Sequence, residues 1–149
     1  MRNEHQKPHV LFRADASKEL GVGHVMRCLA LADALNDRCW KVIFASRNLQ
    51  DHLAQTVQKT GELLPIPDQI SMRSEPDYIL GQLSGSVDLL VTDNYEIDMQ
   101  WHTACRRFTK SIIAIDDLVN RQLDCDVLQN QNPGSSTSAY DGLVPESCN

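Results

Sequence analysis

"FRADASKELGVGHVMRCLALADAL", residues 12–35, carries the reading of the fold. The apolar run "HVLF" (9–12) leads into it as a strand, and polar residues follow at once: Arg13, Asp15, then the glycine pair Gly21 and Gly23. Beyond the glycines, Val25, Cys28, Leu29, Ala32 and Leu35 recur at helical spacing and make one buried stripe. The stretch reads as strand, tight turn, helix.

The same alternation continues outward. "WKVIFAS" (40–46), "ELLPI" (62–66), "DLLVTD" (88–93) and "SIIAIDD" (111–117) read as further strands, with a short run at 125–131. Helical patterns fall between them at 49–61, 75–85 and 98–108, the first closed by glycine and the second carrying proline in its first turn. Unbroken apolar strands alternating with helices imply a parallel sheet covered on both faces. Right-handed crossovers then give a Rossmann-like doubly wound α/β domain. The 149 residues make a single domain, large enough to bury a core without disulfides or metal. Only residues 130–143, "NQNPGSSTSAYDGL", have the composition of a linker.

The net charge of −6 argues against nucleic acid or an anionic membrane surface as a partner, so an anionic ligand must be met by local donors. Five cysteines, with no C-x-x-C pair, suggest neither a zinc site nor a disulfide framework and read as reduced thiols, mostly core filler. The amino terminus lacks an apolar signal core and no run reaches membrane-spanning length, so a cytoplasmic protein is expected.

In doubly wound sheets ligands bind beyond the carboxyl ends of the strands. Polar residues gather at those ends here: Arg13 and Asp15 after the first strand, Asp93, Asn94 and Tyr95 after "LLVT", Asp116 and Asp117 after "IIAI". "GVGH" adds a turn that lets a ligand approach a helix start, where free amides and the helix dipole favour a phosphate or an oxyanion. That dipole disfavours a charged imidazole, which suits His24 to accept a proton. Asp15 is the expected partner for the other ring nitrogen, and the bland alternative is that His24 only caps the helix. Arg27, one turn on, is either a surface arginine or a phosphate or carboxylate contact.

Other site types fail. Met26 stands where G-x-G-x-x-G needs its third glycine, "ASR" offers no ribose-binding acid, and no G-K-[ST] is present for a P-loop. "DCD" (124–126) has the spacing of a metal-bound diphosphate motif but precedes a strand and arises easily by chance. Trp101, on an amphipathic helix, reads as packing.

These residues are specific enough to resemble a known family. "FRADAS" followed by "GVGHVMRCLALADAL", with "LLVTDNYEID", "IIAIDDLVNR", "DCDVLQNQN" and "YDGLVPESC", is similar to the PseG/SpsG-type nucleotide-sugar hydrolases of pseudaminic acid biosynthesis. The resemblance implies the amino-terminal, sugar-binding half of a two-domain, glycosyltransferase-B-like architecture. The nucleotide-binding carboxy-terminal domain is then absent and the chain is expected to be inactive alone. It further implies hydrolysis of UDP-2,4-diacetamido-2,4,6-trideoxy-β-L-altropyranose to the free sugar and UDP, with inversion and with neither metal nor cofactor. His24 takes the place of the family's proposed base, with Asp15 orienting it. Arg13, Gly21, Gly23, Arg27, Asp93, Asn94, Tyr95 and Asp117 form the expected substrate-binding set. The alternatives are a glycosyltransferase of the same architecture and a non-catalytic binding module.

Overall fold

A computed structural model describes residues 7–17 and 21–149. The expected lack of a signal core falls mostly on residues 1–6, and residues 18–20 interrupt the motif; both lie outside the described residues.

Six strands alternate with four helices: β1 (His9–Ala14), α1 (Gly23–Asn36), β2 (Lys41–Ser46), α2 (Asp51–Thr60), β3 (Glu62–Pro65), α3 (Glu75–Gln82), β4 (Val87–Asp93), α4 (Met99–Cys105), β5 (Thr109–Ile115) and β6 (Val127–Gln129). The strands lie in the order β3-β2-β1-β4-β5-β6 and every pairing is parallel. This is the Rossmann-like order, and the chain reverses direction across the sheet between β1 and β4. Their register sets Ala14 opposite Asp93 at the carboxyl ends. The expected helices end earlier than the periodicity suggests. α4 starts only after Asp98, whose carboxylate accepts from the Trp101 amide at 3.0 Å.

Strand residues alternate between two cores. Leu11 points into one with Leu90, Ile79 and Ile112; Phe12 points into the other with Phe44, Val25 and Cys28, its ring stacked on Phe44 at 4.9 Å. The stripe anticipated on α1 is buried at Val25, Cys28, Leu29 and Ala32, with Leu35 half-buried. Gly61 closes α2 because nothing larger fits: a Cβ there would stand 2.5 Å from the Val42 carbonyl oxygen. Three of the five cysteines are buried, as core filler should be.

Residues 130–143 are not a linker. A 3-10 turn, Thr137–Tyr140, buries Tyr140, whose hydroxyl lies 2.9 Å from the Asp116 carbonyl and 3.0 Å from its carboxylate. One phenol anchored to the end of β5 docks a segment whose composition alone gives no reason to pack.

His102 of α4 is fully buried, its Nε2 2.9 Å from the Thr92 hydroxyl and its Nδ1 without a partner among the described residues. Burial pushes its pKa from 6.5 down to about 4. The unfolded chain therefore takes up a proton there that the folded chain refuses between those values, and stability falls as pH drops through that window. The full loss is on the order of 3 kcal/mol. Urea denaturation of wild type and His102→Gln at pH 7 and pH 4.5 checks this; the variant should show the shallower decline.

Candidate active site

The residues beyond β1 and β4 form two linked clusters. The first is built on Arg13, fully buried at the end of β1. Its guanidinium bonds Glu75 through Nε and Nη2, the latter at 3.1 Å, and Asp15 through Nη1 at 2.6 Å. Glu75, equally buried at the start of α3, also accepts from Arg47 at 2.5 and 3.1 Å. The carboxylates at Glu75 and Asp15 outweigh the burial that alone would lower the Arg13 pKa, and it stands above its ordinary value. Asp15 is used up by this cluster: it also accepts from the Arg47 amide at 2.7 Å and the Asn94 side chain at 2.9 Å.

The second cluster is built on Asp93. Its Oδ1 lies 2.5 Å from His24 Nδ1, while Arg27 donates Nε to Oδ2 and Nη2 to Oδ1, both at 2.8 Å. His24 and Arg27 stand three residues apart on α1, so both face the same carboxylate. The expected partner of His24 was Asp15; the structure gives that place to Asp93. The reason is register and alternation. Val91 and Asp93 point to the α1 side of the sheet, whereas Asp15 turns toward β2 and Asn94. Arg27 Nη2 also lies 3.1 Å from the same His24 nitrogen, and it is to the carboxylate that Nδ1 donates when it carries the proton.

Tyr95 closes one side of the imidazole, edge-on at 4.8 Å, and its hydroxyl donates to Asp117 at 2.9 Å. Burial, then the bond to Asp117, raises the phenol's pKa. The bond to Asp93 raises that of Arg27. A cavity of about 190 Å3 lies against Asp15, His24, Asp93, Asn94, Tyr95 and Glu96. Beside it, Gly21 adopts φ +73°, a value only glycine takes without strain. The N-cap Val22 supplies no side-chain bond to the first turn of α1. A Cβ on Gly21 or Gly23 would meet no atom of the described residues within 4 Å.

Every expected site residue lies in or beside these clusters, and Asn94 joins them by bonding Asp15 next to Asp93. Glu75, Arg47 and Glu96 were not anticipated. Glu75 sits in "SEPD", where an acid in a first helical turn reads as an ordinary dipole partner. Asp116 is held by Arg121 and Tyr140, and Trp101 is packed in the core. "DCD" is an ion-pair clamp: Arg106 bonds Asp124 at 2.8 Å and Asp126 at 2.7 Å. Its bond to Asp124 holds that carboxyl below the usual range.

Fold and site together define a Rossmann-like α/β protein with a histidine–aspartate pair at the strand-order reversal. Over 142 residues, 93% of the chain, it is 33% identical to the UDP-2,4-diacetamido-2,4,6-trideoxy-beta-L-altropyranose hydrolase of Campylobacter jejuni. That hydrolase is of the type that the chain's motifs resemble. The chain spans about half, 47%, of that relative's length. No family model matches the chain. The structure of BdcA (YjgI) from E. coli superposes with a TM-score of 0.48 at 15% identity, over 72% of this chain and 62% of that one, too slight a likeness to argue from.

Replacing Glu75 by Gln leaves Arg13 and Arg47 facing a buried neutral amide. Loss of one partner of a buried ion pair costs about 3–5 kcal/mol. Urea unfolding should show a loss of that size, against under ~1 kcal/mol for Glu62→Gln, which breaks the exposed Lys41 pair.

Proposed function

We propose that the chain is the base-bearing half of an inverting UDP-sugar hydrolase, acting on a diacetamido-trideoxy hexose as its relative's name describes. The observation that supports this reading is the His24–Asp93 pair beside the cavity, Nδ1 2.5 Å from the carboxylate: with the proton on Nδ1, Nε2 is the nitrogen that takes one from water. The water attacks the anomeric carbon as its proton passes to Nε2. The bond to the diphosphate breaks on the opposite face, which inverts the configuration. UDP departs as a stable anion and needs no acid. The start of α1, with the positive end of its helix dipole, is suited to the charge that gathers on the leaving oxygen. Arg27 neutralises Asp93, which keeps a second full negative charge away from the incoming diphosphate.

The nucleotide wall of the cleft belongs, in this reading, to the other half of the relative's length. Three carboxylates near the cavity already have partners among the described residues, Asp93 in His24 and Arg27, Asp15 in Arg13, Asp117 in Tyr95, and Glu96 by itself offers too few oxygens for a hard cation. Base and positioning are therefore asked to supply the rate, without a metal.

His24→Gln in the enzyme that carries this chain should lower turnover by about 10²–10⁴-fold, measured as UDP release. Asp93→Asn should also lower it, because an amide no longer dictates the tautomer. Turnover near wild type in His24→Gln rejects the base assignment.

Residues 1–149 alone should bind UDP near or weaker than ~1 mM and release none from the UDP-sugar. Calorimetry and a UDP-release assay check this. A micromolar constant would mean that this half holds the nucleotide by itself.

A further inference from the structure

Two of the cysteines stand together. Cys125, 1% exposed just before β6, has its Sγ 3.7 Å from that of the half-buried Cys148, and both are free thiols. They are 23 residues apart in the chain, so the fold and not local sequence makes the pair.

Their place in the sheet gives the pair a use. β6 is three residues long and lies at the edge, with β5 on one side only. An open strand edge invites the addition of a foreign strand and is usually covered. Residues 143–149 provide the cover here. Leu143 accepts from the Leu123 amide at 2.8 Å. Asn149 donates to the Asp126 carbonyl at 3.0 Å and accepts from the Leu128 amide at 2.8 Å, so its backbone brackets β6. Val144 and Cys148 pack, partly buried, on the core cluster that holds Leu123 and Cys125. The paired sulfurs therefore lie where the cover meets the strand.

We propose that Cys125 and Cys148 are a modification site, joined by peroxide in a reversible disulfide that fastens residues 143–149 over the edge strand. Peroxide reaches the more exposed Cys148 first and oxidises its thiol to a sulfenic acid, releasing one water. The Cys125 sulfur then attacks the Cys148 sulfur, the S–O bond breaks, and the Cys125 proton leaves with the hydroxyl as a second water. Two thiols give up two electrons and one peroxide takes them. A disulfide needs about 2.05 Å between sulfurs. Cys148 supplies the approach, since its neighbours Ser147 and Asn149 are exposed whereas Cys125 is walled in. Burial, and then the neighbouring Cys148, raise the pKa of the Cys125 thiol, which suits it to resolve the sulfenic acid and not to meet the oxidant. The device is independent of the site beside His24.

Stoichiometric hydrogen peroxide on the reduced chain tests it, with the exposed Cys39 as internal control. Intact mass should fall by two hydrogens. Proteolysis after Glu146 separates the two cysteines, and the unreduced digest should contain the Cys125–Cys148 cross-link, cleaved by dithiothreitol. The cross-link should raise the midpoint of thermal unfolding by about 5–10 °C. Cys148→Ser should keep the midpoint of the reduced chain and lose the rise. Oxidation of Cys148 to a sulfinic acid with Cys125 untouched, or cross-links that involve Cys39 instead, would overturn the pairing. A Cys125–Cys148 link that leaves the unfolding midpoint unchanged would overturn the fastening role.

Discussion

One carboxylate organises the site. Asp93, at the end of β4, takes the imidazole of His24 and the guanidinium of Arg27 on the same pair of oxygens. Those two residues are on the first turns of α1, so the ion pair also pins the helix start, and with it the glycine turn, to the middle of the sheet. The carboxylate is 1% exposed. At that depth an unpaired charge is costly, and Arg27 is what makes it tolerable there. The orientation of the imidazole and the position of the helix start are thus consequences of a single buried charge and its partners.

A second buried charge supports the first from below. Glu75 joins the end of β1, through Arg13, to the residue after β2, through Arg47, and fixes both to α3. Asp15 extends that lattice to Asn94, the neighbour of Asp93. The loops after β1, β2 and β4 are therefore tied together by side chains rather than by backbone pairing. Arginine is suited to this work, because its planar fork reaches two carboxylates at once with directed bonds. A site assembled this way is rigid on its sheet side and open on the other, the arrangement expected where a ligand lies across the reversal of strand order.

Chemical roles divide along the same line. The α1 side of the sheet carries the His24–Asp93 pair, with Tyr95 edge-on to the imidazole and bonded to Asp117. The α3 and α4 side carries Trp101, Met72 and Pro76 around a roomier space. Glu96 stands on the boundary of the two.

Local sequence was sufficient for the elements and for part of the site. Periodicity of two and of 3.6 is set by backbone geometry, so the strands and the buried stripe of α1 were legible without any tertiary information. Gly21 and His24 were legible too, because a left-handed residue followed by a helix start is a local event. The partner of His24 was not. Asp15 is nearer in sequence and Asp93 lies 69 residues away; only the pairing of β1 with β4 and the side each residue faces decide between them. Glu75 was hidden for the same reason, 62 residues from Arg13 in an unremarkable helical turn. Tyr140 shows the converse, a polar segment that composition assigns to a linker and a single buried hydroxyl assigns to the domain. The sequence determined which groups exist at the strand ends; the order and register of the strands decided which of them meet, because hydrogen bonds and ion pairs depend on distances that parallel crossovers set and spacing along the chain does not.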